Sequence, residues 1–394
     1  MRQAIYLLVI SVAFLACSPK AAPPAMHAAD SDKAIALPTA ATSDKAVEKP
    51  AIAAPAGPKD PEIAALYAKI RDCPVADFQA CPAAKDLETL AKTRNNDPTR
   101  QQSTYEAMLD CIDAGNSAQR YACVYATNFS LFPAGRNDNV NVAKRLLAVI
   151  RVEKAEHTSS RLGEFLSNFY ASAACGAVHE EILDLIKDQN LPEFARTELI
   201  RLGTAPLKRP AHVDALYALL QDNKSSEELR IQIVGVVYQI EDQVTRAKFE
   251  AWMIAQLDNP SLRLAQKCVE TLGEIGGPAG FTAVMKNWQA RYATLTDGSW
   301  ASATARGLQN FLARGDKVAI DRKAAYATVM AIAQDEKIPP FYRSWALYAL
   351  ERSGEARALK DLKMLANDKD AGFAKTAKET AQRVEQSTAE NQKK

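Results

Sequence analysis

The chain has 394 residues, with 49 lysines and arginines against 47 aspartates and glutamates and a formal net charge of +2. That balance excludes a dedicated nucleic-acid binder, which would carry a strong basic excess or a basic stripe. Apolar residues make up 47% of the chain, enough for a large core or a long array once the N-terminal segment is set aside.

Residues 1–16 read MRQAIYLLVISVAFLA. One cation, Arg2, precedes an apolar run from Ala4 to Ala16 that is too short to span a bilayer. This is the pattern of an export signal, which takes no part in the fold. The run stops at Cys17, and FLAC resembles a bacterial lipoprotein signal in which Cys17 is acylated. Leu15 and Ala16 suit such a cleavage site, while Phe14 departs from the usual leucine. An ordinary secretory signal cut near Cys17 and an uncleaved anchor are the alternatives. In a bacterium with two membranes, the lipoprotein resemblance together with Ser18 implies an outer-membrane anchor facing the periplasm. Membrane contact is then through the lipid only.

Residues 17–60 follow as a tether rich in alanine and proline, with no aromatic residue. Such a segment buries too little apolar surface to offset the entropy of ordering. Fully stretched, it reaches on the order of 130 Å at about 3.1 Å per residue.

From Pro61 onward apolar residues recur at three- and four-residue spacing, and no alternating strand pattern appears. Breakers such as QDNKSS, LDNP, GGPAG, DEKIPP and ERSGE interrupt the pattern at regular intervals. Segments of this kind predict helical hairpins, an all-α chain of antiparallel helix pairs. Residues 61–190 are the divergent part. There Cys73 and Cys81 flank a short turn segment, and Cys111 and Cys123 lie close to the turn DAGNSAQ on successive helices. In an exported chain both pairs are disulfide candidates, although six buried free thiols would be the simpler alternative.

Residues 191–386 carry a clearer repeat. LPEFARTELIRLG, SEELRIQIVGVVYQI, NPSLRLAQKCVETLGEIG and PPFYRSWALYALERSG each open on a proline or an acidic residue and proceed through an arginine to small and branched apolar residues. The arginines Arg161, Arg196, Arg230 and Arg263 are spaced 35, 34 and 33 residues apart, and Arg343 continues the series after an insertion. This pattern resembles the HEAT-repeat family in its short bacterial form. The resemblance implies an α-solenoid, in which stacked pairs share one core. It also implies that Arg161, Arg196, Arg230, Arg263 and Arg343 pair with acidic groups and loop carbonyls of neighbouring repeats. Residues 387–394 read as a frayed tail.

Within this frame Cys268 sits on one apolar face with Leu264, Val269 and Leu272, which predicts a packed small residue rather than a nucleophile. Tyr217, Trp288, Tyr292 and Trp300 fall in or near the second helices of the later repeats, which the resemblance implies line the concave, partner-binding side, and they are the candidate partner anchors. Trp252, beside Met253 and Phe249, reads as core. His157, His179 and His212 are isolated from one another, and His179 reads as part of a solvated helix start. The cysteine spacings do not match a zinc site. No phosphate loop, nucleophile elbow or dinucleotide fingerprint is present. The expected activity is therefore that of a lipid-anchored scaffold holding a protein or peptide in the cell envelope, with no cofactor, metal or catalytic residue singled out. The alternatives are a binder of a ligand or envelope polymer, and a lyase-like enzyme or accessory.

Overall fold

A computed structural model describes residues 57–75, 80–130, 140–167, 175–202, 210–292 and 298–392. The expectations for residues 1–56, including the acylated Cys17 and most of the tether, lie outside the described residues. Eighteen α-helices form in sequence, and no strand occurs among the described residues. They run Pro61–Ile70 (α1), Pro82–Asn95 (α2), Pro98–Ala114 (α3), Ser117–Ser130 (α4), Val140–Val152 (α5) and Glu156–Ser167 (α6). Cys175–Lys187 (α7), Glu193–Leu202 (α8), Pro210–Gln221 (α9), Glu227–Val236 (α10), Gln243–Gln256 (α11) and Leu262–Ile275 (α12) follow. The series closes with Pro278–Tyr292 (α13), Ser299–Ala313 (α14), Arg322–Gln334 (α15), Pro340–Arg352 (α16), Ala358–Leu365 (α17) and Ala371–Gln392 (α18).

The breakers work through helix-end chemistry. The Asp60 carboxylate accepts hydrogen bonds from the backbone amides of Glu62 and Ile63, and Pro61 supplies a first residue that needs no amide partner. Asp97 before Pro98, Ser226 before Glu227, Asp242 before Gln243 and Asp321 before Arg322 cap their helices in the same manner. At its other end the chain differs from expectation. α18 runs on to Gln392, through residues expected to fray, because Ala, Glu and Gln are good helix formers.

Helices join in hairpins, each odd-numbered helix packing on the even-numbered one that follows. Each even-numbered helix from α2 to α16 also packs on the next even-numbered helix. Contacts between successive odd-numbered helices are sparser. One apolar cluster runs from Ile63 to Ala381 through every hairpin, within a single unit spanning Gly57–Lys394. The tightest contacts join α12, α14 and α16. There the backbones of α12 and α14 meet at two glycines. A Cβ on Gly273 would collide with the backbone of Gly307, and one on Gly307 would lie 2.7 Å from the carbonyl oxygen of Val269. Ala301, Ala303 and Ala305 keep the same stretch of α14 thin and buried.

Candidate functional site

Cys268 is fully buried on α12, and burial pushes its thiol far above the ordinary range, so no thiolate forms near neutral pH. Of Cys175, only its place at the start of α7 falls within the description. Cys73 and Cys81 are joined with their Cα atoms 5.7 Å apart, linking the end of α1 to the start of α2. Cys111 and Cys123 are joined at 6.2 Å and tie α3 to α4.

The repeat arginines divide into two kinds. The Arg196 Nε donates to the carbonyl of Ile186 at 2.7 Å, and an Arg230 Nη donates to that of Asp222 at 2.8 Å. Arg343 is buried. It donates to the Ala333 carbonyl at 2.8 Å, pairs with Asp368, and lies 4.0 Å over the Phe373 ring. Each of the three occupies the fourth residue of its helix and closes the end of the preceding helix. Burial pushes the Asp368 carboxyl up, but the Arg343 hydrogen bond and the other donors outweigh it, and the carboxyl is held below its usual range.

Arg161 and Arg263 sit elsewhere in their helices, although Arg263 does meet the expected pairing with an acidic group of a neighbouring hairpin. Arg263 is the second residue of α12, 70% exposed, and bonds Glu228 on α10 at 2.7 Å. The fourth residue of α12 is Ala265, so Arg263 keeps the 33-residue spacing but lies two residues earlier in its helix. Arg161 is the sixth residue of α6, where it pairs with Glu164 and covers the Tyr121 and Tyr125 rings at 5.9 and 5.4 Å. The arginine that completes the series is Arg120, fourth in α4. It donates to the Ile112 carbonyl at 3.1 Å and to the fully buried Glu153 at 3.1 Å. Glu153 also accepts from Ser117 at 2.5 Å and from the Lys154 and Ala155 amides.

The candidate anchors need correction. Trp300 is 1% exposed and Trp288 is 6% exposed, so neither can receive a partner. Trp300 fills the core with Arg291 lying 4.9 Å over its ring. Tyr217 is half-buried, its ring packed edge-on against Phe249 at 5.2 Å. The side chain of Tyr292 lies outside the described residues. Two of the histidines, isolated in sequence, meet in the fold. His179 and His212 are both buried, their rings edge to face at 5.9 Å, and His212 Nε2 is 3.1 Å from the His179 carbonyl oxygen.

Two surfaces remain on the even-numbered helices. Across α12 to α18, Arg306 pairs with Glu270 and lies 4.8 Å over Trp345, which meets Tyr348 edge-on at 5.7 Å. Arg383 then forks onto Glu351 through two bonds of 2.8 Å. Burial raises the Glu270 carboxyl, against the pull of Arg306 and Lys267. Across α6, α8 and α10 lies an open cavity of about 330 Å³, lined by Glu156, Ser160, Glu193, Thr197, Glu228 and Gln232, with Phe194 and Glu198 on its wall. The Gln232 amide is the first cause that holds Glu228 below the usual carboxylate range, with Arg263 adding to it against burial.

No family model and no curated protein matches the chain. Among the described residues no set of three or more His, Cys, Asp and Glu side chains is placed to hold a metal ion. No described helix is long and apolar enough to cross a membrane.

Proposed function

We propose that this chain is a HEAT-like α-solenoid scaffold, held in the bacterial cell envelope by a lipid on Cys17, that carries a protein or peptide partner on its even-numbered helices. The observation that carries the reading is the unbroken packing of each even-numbered helix on the next, from α2 to α18. Stacked hairpins that share one core present a long face without closing a deep active site. The arginine in the fourth residue of α4, α8, α10 and α16 repeats one tie between the helices of a hairpin, as expected of a repeated unit.

The even-numbered layer is packed closer than the odd-numbered one, backbone against backbone at Gly273 and Gly307. The polar, exposed outer residues of α18 suit a terminal cap. The two disulfides agree with export to an oxidising compartment. The half-exposed Trp345 and Tyr348 on α16 supply the aromatic contacts of this face, which is not the second-helix face on which anchors were expected.

Proximity labelling in intact cells, comparing wild type with Cys17→Ala, tests the reading. The anchored form captures one defined envelope protein, and the variant, released from the membrane, loses it. Identical membrane fractionation of the two forms, or no protein enriched by either, contradicts it.

A further inference from the structure

The cavity across α6, α8 and α10 is built from two rows. The first row is Glu156, the first residue of α6, Glu193, the first of α8, and Glu228, the second of α10. The second row is Ser160, Thr197 and Gln232, four residues further along each helix. Each of three successive even-numbered helices thus contributes one carboxylate and one neutral hydrogen-bonding side chain to the same opening. Glu198 adds a fourth carboxylate, and the half-buried Phe194 ring adds an apolar surface that also attracts cations.

The row stops at α12, where the matching place holds Arg263. That guanidinium reaches back to Glu228, so a basic side chain from a neighbouring element already sits on one end of the row. Among the described residues no cation forms an ion pair with Glu156 or Glu193. Acidic residues in the first turn stabilise each helix separately through its dipole. That role does not require the three to meet around one cavity.

Resting on the scaffold reading above, we infer that this groove binds an extended peptide segment with an arginine or lysine at every third position. The spacing follows from two lengths. Packed helices lie about 8–10 Å apart, and a chain in the polyproline-II conformation rises about 3.1 Å per residue with about three residues per turn. Three residues therefore span one helix-to-helix step, and side chains three apart lie on the same side of the segment, in register with Glu156, Glu193 and Glu228. The segment crosses α6, α8 and α10 with its basic groups on the carboxylate row. Ser160 and the amide oxygen of Gln232 lie beside its backbone, the Gln232 amide nitrogen being held by Glu228 at 2.9 Å, and the buried Thr197, which donates to the Phe194 carbonyl, forms the floor.

The test uses the purified full chain and a fluorescent nonapeptide of three Arg-Thr-Ser units, read by anisotropy. A control peptide of the same composition carries its three arginines contiguously. The spaced peptide binds, at least about tenfold tighter than the control, and weakens as salt rises from about 50 to about 300 mM. Glu193→Gln weakens it roughly tenfold, and the triple variant with Glu156→Gln, Glu193→Gln and Glu228→Gln abolishes it. Arg263→Gln, which removes the ion-pair partner of Glu228, tightens it several-fold, a result no loss of folding could produce. Equal binding of both peptides, no binding, or binding unchanged in the triple variant overturns the inference. Partner capture in cells separates the two readings. A partner retained by the triple variant overturns the groove assignment while leaving the scaffold in place.

Discussion

Two stretches of the helical chain solve the same problem with different chemistry. α1 to α6 are held by fasteners: two disulfides, the buried Arg120–Glu153 pair, and Arg94, which is 2% exposed and bonds Asp60 at 2.8 Å and Glu62. α12 to α16 are held by fit, with Gly273 on Gly307 and a sheath of alanines between larger apolar residues. Between α12 and α16 small side chains let neighbouring backbones approach, and the shared core supplies the stability. Between α1 and α6 covalent links and charge pairs take over. The two regions should therefore fail in different ways.

The largest effect is expected in the closely fitted region. Gly307→Val drives a side chain into the Val269 carbonyl and separates α12 from α14, costing about 3 kcal/mol or more. Urea unfolding would read this as a lower midpoint, and hydrogen exchange would place the lost protection in α12–α16. Next comes the stapled region. Replacing Cys111 and Cys123 by alanine should cost about 2–4 kcal/mol. Its loss of exchange protection should centre on α3 and α4 and leave α12–α16 as in wild type.

Arg343→Gln leaves Asp368 without its partner and the Ala333 carbonyl without its donor, for about 2–3 kcal/mol. Arg263→Gln, at the exposed position, should change stability by less than about 0.5 kcal/mol. Equal costs for the two would contradict the separation of tie arginines from surface ones. Acid sharpens the contrast further. Asp60 and Asp368 have folded-state carboxyls held low, so the stability they supply is present above their unfolded values and is lost as pH falls through the folded ones. Glu270 is raised by burial and takes up a proton more readily when folded, so its local contribution rises as pH falls from neutral toward its unfolded value. Unfolding midpoints from about pH 7 to about pH 4.5, compared with Glu270→Gln, should show a small gain in wild type that the variant lacks.

Much of this fold is legible in sequence, because helix periodicity and helix-end residues are local. Capping by Asp60, Asp97, Ser226 and Asp321 needs only a few neighbouring residues. The site is less legible. Which side of α14 turns inward depends on α12 and α16, so a periodic pattern that places Trp300 on a helix does not say that it is buried. Arg120 and Glu153 lie on different hairpins, and the arginine alone resembles any surface cation. Arg263 shares the spacing of the tie arginines but not their place in the helix. The carboxylate row is invisible for a similar reason: Glu156, Glu193 and Glu228 each read as an ordinary helix start until stacking brings them to one opening.

The most direct test is site-specific photocrosslinking in intact cells, with a photoreactive amino acid placed at Tyr348 on the even-numbered face or at the exposed Lys286 on α13. A defined protein adduct from position 348 and none from position 286 is the predicted result. Adducts formed equally from both positions, or only from position 286, would contradict a scaffold that works through its even-numbered helices.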